Sequence, residues 1–148
     1  MLKGIHPLLS PDLLHALQSM GHGDAIAIVD GNFPATANAR RLIETPGVGA
    51  PAVLDAVLTV LPLDTRTSPA VFTMEVTGDP SAVPPPVAEF AAVLTAQGLA
   101  DMEIGHLERH AFYERARGAF AIVRTGELRR FGNILLVKGV VASDSVGQ

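Results

Sequence analysis

Five consecutive apolar residues, Ala25 to Val29, are bracketed by Gly21-His22-Gly23-Asp24 on one side and by Asp30-Gly31-Asn32-Phe33-Pro34 on the other. A run this short, closed off by turn-forming residues, reads as a buried strand. In open α/β sheets, ligands sit just beyond the carboxyl ends of such strands. The segment therefore fixes a position in a sheet and a position for chemistry, with Asp30 at the strand's carboxyl end and His22 in the link before its amino end. Glycines on both sides of His22 free the backbone for positive φ and let a ligand approach without meeting a Cβ. A histidine before a strand and an aspartate after it meet only if another element or the loop itself folds back, and spacing leaves that open.

The rest of the chain alternates helical and strand-like segments. Ser10-Pro11-Asp12 starts a helix with an N-cap hydroxyl, a proline at the first helical position and a carboxylate against the positive end of the dipole. Leu13, Leu14, Leu17 and Met20 recur at helical spacing, and Gly21 stops the run. Residues 50–61 are read as a second helix and 86–97 as a third, with a short helix at 112–116. Strands are read at 70–76, 101–107, 120–123 and 133–137, with a turn at Thr125-Gly126-Glu127. The order predicts one compact layered α/β domain over residues 1–148, with a mainly parallel sheet flanked by helices. Antiparallel pairing is natural near the last hairpin, and the polar tail over 142–148 is expected to fray.

Composition narrows the function. A net charge of −4 offers no basic field to a nucleic-acid backbone. The chain has no cysteine, which excludes disulfides, thiolate zinc sites and thiol nucleophiles and fits a reducing compartment. Neither a signal peptide nor a membrane span is read, so a cytoplasmic protein is expected. With 48% apolar and 18% charged residues, the chain leaves room for surface hidden in an oligomer.

His22 is the leading candidate for chemistry, because an imidazole both gives and takes a proton near neutrality; the plainer alternative is a loop histidine bonded to a backbone carbonyl. Asp30 either orients the histidine or accepts a hydroxyl proton, or else forms a local turn through its side chain. His106 and His110, with Glu108 between them, lack the spacing of a zinc-binding helix. Arg109 heads a run that also reads as a solvated helix face. Gly47-Val48-Gly49 lacks the spacing of a nucleotide-binding loop, and there is no Gly-x-Ser-x-Gly elbow. Proton transfer by ordinary side chains remains, with no cofactor and no metal.

Several ordered blocks then point to a family. Leu2-Lys3, Pro7-Leu8-Leu9-Ser10-Pro11, Met20-Gly21-His22-Gly23-Asp24, Asp30 with Phe33-Pro34, Ala111-Phe112-Tyr113-Glu114-Arg115-Ala116, Thr125-Gly126-Glu127, Gly132-Asn133-Ile134-Leu135-Leu136 and Lys138-Gly139-Val140 resemble the fucose mutarotase branch of the ribose pyranase and fucose mutarotase family, over about residues 2–140. The resemblance implies a compact α/β fold in closed rings, commonly decamers of two stacked pentamers, with monosaccharide sites at subunit contacts. It assigns acid/base chemistry to His22, sugar contacts to Asp30 and Arg109, and orientation of the sugar to Asn133. Phe131 stands where the family has tyrosine; its ring can still stack on a sugar, but the phenol's donor and acceptor are gone. Losing one such hydrogen bond costs on the order of 1 kcal/mol. The expected reaction is exchange of the α and β anomers of a free sugar, L-fucose, through acid/base ring opening. The alternatives are a ribose pyranase and a sugar-binding ring that has lost turnover. His22, Asp30, Arg109 and Asn133 are expected to share a pocket that a neighbouring chain completes.

Overall fold

A computed structural model describes residues 1–145. Its centre is a six-stranded sheet in the order β2-β5-β1-β6-β3-β4, with β1 at Ala25–Val29, β2 at Leu42–Thr45, β3 at Val71–Met74, β4 at Ile104–Leu107, β5 at Ala121–Thr125 and β6 at Ile134–Val137. Three of the five strand pairings are parallel (β2 with β5, β5 with β1, β3 with β4). The other two join β6 to β1 and to β3, both antiparallel.

Period-two alternation divides the core between two faces. Ile26 and Ile28 of β1, Ile134 and Leu136 of β6 and Val123 of β5 turn to one side, against α1 (Pro11–Ser19), α3 (Ala50–Leu58) and α4 (Pro85–Ala96). Ala27 and Val29, Leu135 and Val137, and Ile122 turn to the other, where α2 (Ala35–Asn38) and α5 (Arg109–Gly118) lie with Phe33 and Phe112. Continuous apolar strands such as Ile134–Val137 follow from this, because both of their faces are covered.

The helix starts follow local chemistry. Ser10 caps α1 by accepting from the Leu13 N–H at 3.2 Å, with Pro11 at the first helical position. The Lys138 ammonium satisfies the other end, donating to the carbonyls of Leu17 at 3.0 Å and Met20 at 2.6 Å. Glu108 caps α5 by accepting from the N–H groups of His110 and Ala111, so this helix is longer than the expected 112–116.

The sheet corrects the reading in three places. β5 and β6 do not form a hairpin; β6 crosses to the far side of β1, and its antiparallel bonds lie in the middle of the sheet. Strand β2 and the short α2 were not read at all. β2 is an edge strand with only Ile43 buried, and it is fixed by distant pairing to β5, including an ion pair between Arg124 and the directly opposite Glu44. The second helix stops at Leu58 instead of 61, where Thr59 and Val60 bond back to Ala56 and Val57 in a tighter turn. The expected fraying of 142–148 lies partly outside the described residues; within them Ser143–Ser145 forms one 3₁₀ turn. Among the described residues, no helix is long and apolar enough to cross a membrane.

Candidate active site

Because β5 and β6 flank β1, the loop joining them has to pass over the carboxyl end of β1, where Asp30 emerges. Hydrogen bonds hold it there. The Thr125 hydroxyl donates to the Val29 carbonyl at 2.8 Å, and the Gly31 N–H donates to the Glu127 carbonyl at 2.9 Å. Asn133, at the loop's far end, makes a reciprocal pair with Asp30: its side-chain oxygen accepts from the Asp30 N–H at 2.9 Å, and its amide donates to the Asp30 carboxylate at 3.1 Å. The same amide nitrogen lies 3.8 Å from Sδ of Met74 on β3. One buried asparagine thus gathers the ends of three strands.

A cavity of about 460 Å³ opens above this pair, walled by Asp30, Phe33, Arg109, Tyr113, Phe131 and Asn133. That is a usual size for a small-molecule site. Asp30 is only 3% exposed, and burial pushes its carboxyl above the ordinary value although the Asn32 N–H and the Asn133 amide partly offset this. Such a carboxylate is the more ready to accept a hydroxyl proton. The Asn32 N–H donates to its other oxygen at 3.0 Å, so Asp30 also forms the local turn that its position allowed. Arg109 and Tyr113 stand one helical turn apart on α5 and both face the cavity. The Tyr113 ring meets Phe33 edge-on at 5.1 Å.

Phe131 has φ of +59°, a left-handed backbone that a bulky residue seldom adopts. Strain of this kind costs of order 1–3 kcal/mol and collects at functional sites.

His22 lies elsewhere. Within one chain the expectation that it shares a cavity with Asp30, Arg109 and Asn133 is not met, because β1 runs between them and its five residues span roughly 16 Å. His22 sits at the amino end of the strand, 43% exposed, with Nε2 3.4 Å from the buried Asp64 carboxylate. Asp64 is locked by the Arg66 N–H at 2.9 Å, by the Thr67 hydroxyl and by its own N–H on the Val137 carbonyl. The Arg66 N–H above all, helped by Thr67 and His22, holds its carboxyl below the ordinary value. Gly23, with φ of +85°, and Asp24, whose carboxylate accepts from the Gly21 N–H at 2.7 Å, shape the loop around the imidazole. A wider cleft of about 740 Å³ opens on this side, lined in part by Asp24, Asp64, Phe72, Glu114 and Arg115.

The two other histidines weighed for a metal are engaged locally. Nδ1 of His106 lies 2.8 Å from the Thr73 hydroxyl, and the His110 ring packs edge-on to Tyr113 at 6.0 Å.

Comparison with known proteins decides the family. Residues 3–141 match the RbsD / FucU transport protein family. The chain belongs to this family. Among RbsD / FucU relatives, a fucose mutarotase of Homo sapiens is 45% identical over 147 residues, 95% of each chain. A fucose mutarotase of Bos taurus is 44% identical over 148 residues, 96% of this chain and 95% of that one. The crystal structure of the fucose mutarotase in complex with L-fucose from Streptococcus pneumoniae matches with a TM-score of 0.89 at 40% identity, over 95% of this chain and all of that one.

Sequence reasoning missed two residues of this RbsD / FucU chain that the geometry brings forward. Tyr113 had a signal, since it lies four residues beyond Arg109 and so on the same helix face. Asp64 had none, because backbone pairing of residues 62–64 with 137–139 is what carries it to His22.

The covering loop has a pH signature. Arg129 beside Glu127 holds that carboxyl down at about 2, against an ordinary 4.5. A carboxyl depressed on folding adds stability above its unfolded value and loses it as pH falls toward the folded one. Asp30, raised by burial, works in the opposite sense, losing stability as pH rises through its folded value. Urea midpoints are expected to fall between pH 4.5 and 2 in the native protein and to change less over that window in Glu127→Gln. Equal slopes in the two proteins would remove Glu127 as a source of acid sensitivity.

Proposed function

We propose that this protein is a mutarotase that exchanges the α and β anomers of a free monosaccharide, L-fucose, in the cytoplasm. The observation that carries this reading is the buried Asp30–Asn133 pair opening on a sugar-sized cavity, in a chain 40–45% identical to fucose mutarotases. Anomer exchange removes the proton from the anomeric hydroxyl and delivers one to the ring oxygen as the bond between the anomeric carbon and that oxygen breaks. The open aldehyde turns, and the same two transfers in reverse close the ring on its other face. In this reading Asp30 accepts a hydrogen bond from one sugar hydroxyl, Arg109 donates to another and the Phe131 ring packs on the sugar's apolar face. Both functional atoms of the Asn133 side chain are already committed to Asp30. Asn133 therefore acts by fixing that carboxylate and not by reaching for the sugar itself.

The proton carrier is His22, and Asp64 orients the imidazole and stabilises its charged form. A 43% exposed imidazole at the opposite end of β1 serves the cavity only when a second copy brings it there. The site is accordingly shared between chains, one lending its His22 edge and the next its Asp30 cavity, in a closed ring of identical subunits such as a decamer. Saturation-transfer NMR on free sugars tests the activity: faster exchange between fucose anomers is expected. Faster exchange between the pyranose and furanose forms of ribose alone, or binding with neither, would replace this reading. Sharing has its own test. His22→Ala and Asp30→Asn are each expected to be inactive alone, and an equimolar co-refolded mixture to recover about a quarter of native catalysis, because half the donors meet half the acceptors. A mixture as dead as its components would show that no site is shared.

A further inference from the structure

Next to the left-handed Phe131 in the chain stands a charged cluster that lies apart from the residues lining the cavity. Glu127, 5% exposed, lies four residues before Phe131. Its carboxylate accepts the backbone N–H of Arg129 at 3.0 Å, and Nε and Nη2 of the same residue at 2.8 and 2.9 Å. It also takes the N–H of Ala50, the first residue of α3, a helix whose own N-cap is a glycine with no side chain to offer. The Arg129 guanidinium reaches in addition to Glu89 on α4, at 2.6 and 2.9 Å. One cation between two carboxylates thus fastens the loop to the N-terminus of α3 and to the flank of α4.

Glycines make room for this arrangement. A Cβ on Gly132 would stand 2.8 Å from Cγ of Glu127, and one on Gly49 would stand 3.2 Å from Oε2 of Glu127. Gly126, at the loop's start, faces the backbone of Gly47 so closely that a Cβ would meet its nitrogen at 2.6 Å. The loop is therefore held at both ends, with Phe131 raised between them. An uncommon backbone conformation persists only where its surroundings over-determine it.

We propose that Arg129, acting through Glu127, is a positioning residue for sugar binding: the Glu89–Arg129–Glu127 clamp holds Phe131 against the sugar. The inference rests on the reading of the cavity as the sugar site. Loosening the clamp unseats a ring that binds ground state and transition state alike, so it acts on KM and leaves kcat in place. In Arg129→Ala, KM for fucose anomer exchange is expected to rise about tenfold, the scale of one aromatic contact, with kcat within about twofold of native. Arg129→Lys, which keeps the charge but not the fork, is expected to fall between the two. Glu89→Gln cuts only the outer, exposed half and is expected to raise KM less than Arg129→Ala does.

A second readout does not depend on turnover. The chain has no tryptophan, so Phe131→Trp introduces a single fluorophore on the loop. Its fluorescence anisotropy is expected to drop when Arg129→Ala is added at constant assembly size. Unchanged KM in Arg129→Ala together with unchanged anisotropy would overturn the proposal. If Arg129→Ala does not fold, Glu89→Gln decides alone, and an unaltered KM and anisotropy there would overturn it equally. Absence of anomer exchange in the native protein would instead strike at the mutarotase reading, and the anisotropy pair would still decide whether the clamp holds the loop.

Discussion

Replacing His22 with alanine is expected to lower catalysed anomer exchange by about 10²- to 10⁴-fold, the usual range for a positioned acid or base. The fold should survive the change. The imidazole is 43% exposed, and the carboxylate that it leaves behind keeps the Arg66 N–H and the Thr67 hydroxyl as partners. Sugar affinity should survive too, because Asp30, Arg109 and Phe131 still line the cavity when the imidazole that a neighbouring copy would bring to it is gone. The signature is therefore a collapse of kcat with KM little changed, the pattern of an interaction used in the transition state. Asp64→Asn, which removes the charge beside the ring and keeps most of its shape, should give a partial loss in kcat. An exchange rate in His22→Ala equal to that of the native protein would end the assignment.

The largest effect on stability is expected at Phe112. Its side chain is fully buried under the cavity and meets the Phe33 ring edge-on at 5.9 Å, while Phe33 in turn braces Tyr113. Phe112→Ala removes a whole ring from a packed core, a change that costs about 3–5 kcal/mol. Total stabilities of roughly 5–15 kcal/mol make this about a fifth or more of what a domain has. Phe112→Leu, closer in volume, should cost less than half as much. The urea midpoints of the three proteins, measured at one protomer concentration, provide the comparison. Because Phe33 rests on this ring and in turn braces Tyr113, Phe112→Leu should also raise KM for the sugar. A midpoint in Phe112→Ala close to native would mean that the neighbouring side chains collapse into the space.

What could be read in the sequence divides along the range of the interactions involved. The first helix was plain because Ser10, Pro11 and Asp12 act on backbone groups within one turn. β1 was plain because its apolar run is uninterrupted and both flanks are turn-forming. β2 went unread because its residues alternate too briefly to declare a strand, and its existence depends on a partner eighty positions later. The same holds for the site. Asp30, Arg109, Phe131 and Asn133 were all nominated, and the cavity gathers them from a strand end, a helix and a loop. The direct bond between Asp30 and Asn133, 103 residues apart, and the nearness of Asp64 to His22 needed the order of strands to be known first. Local chemistry was legible; the crossing of β6 to the far side of β1 was not, since nothing near residues 126–133 records which neighbour the strand will choose.

That crossing has a consequence for how the molecule comes into being. One parallel group, β2, β5 and β1, and another, β3 and β4, share no strand pairing of their own, and β6 is the seam that joins them. During synthesis, both groups carry an unmatched inner border until the ribosome has released the segment that ends at Val137. Since β1 and β2 meet only through β5, the first group itself takes shape late in elongation, and β6 follows directly to weld the two half-sheets together.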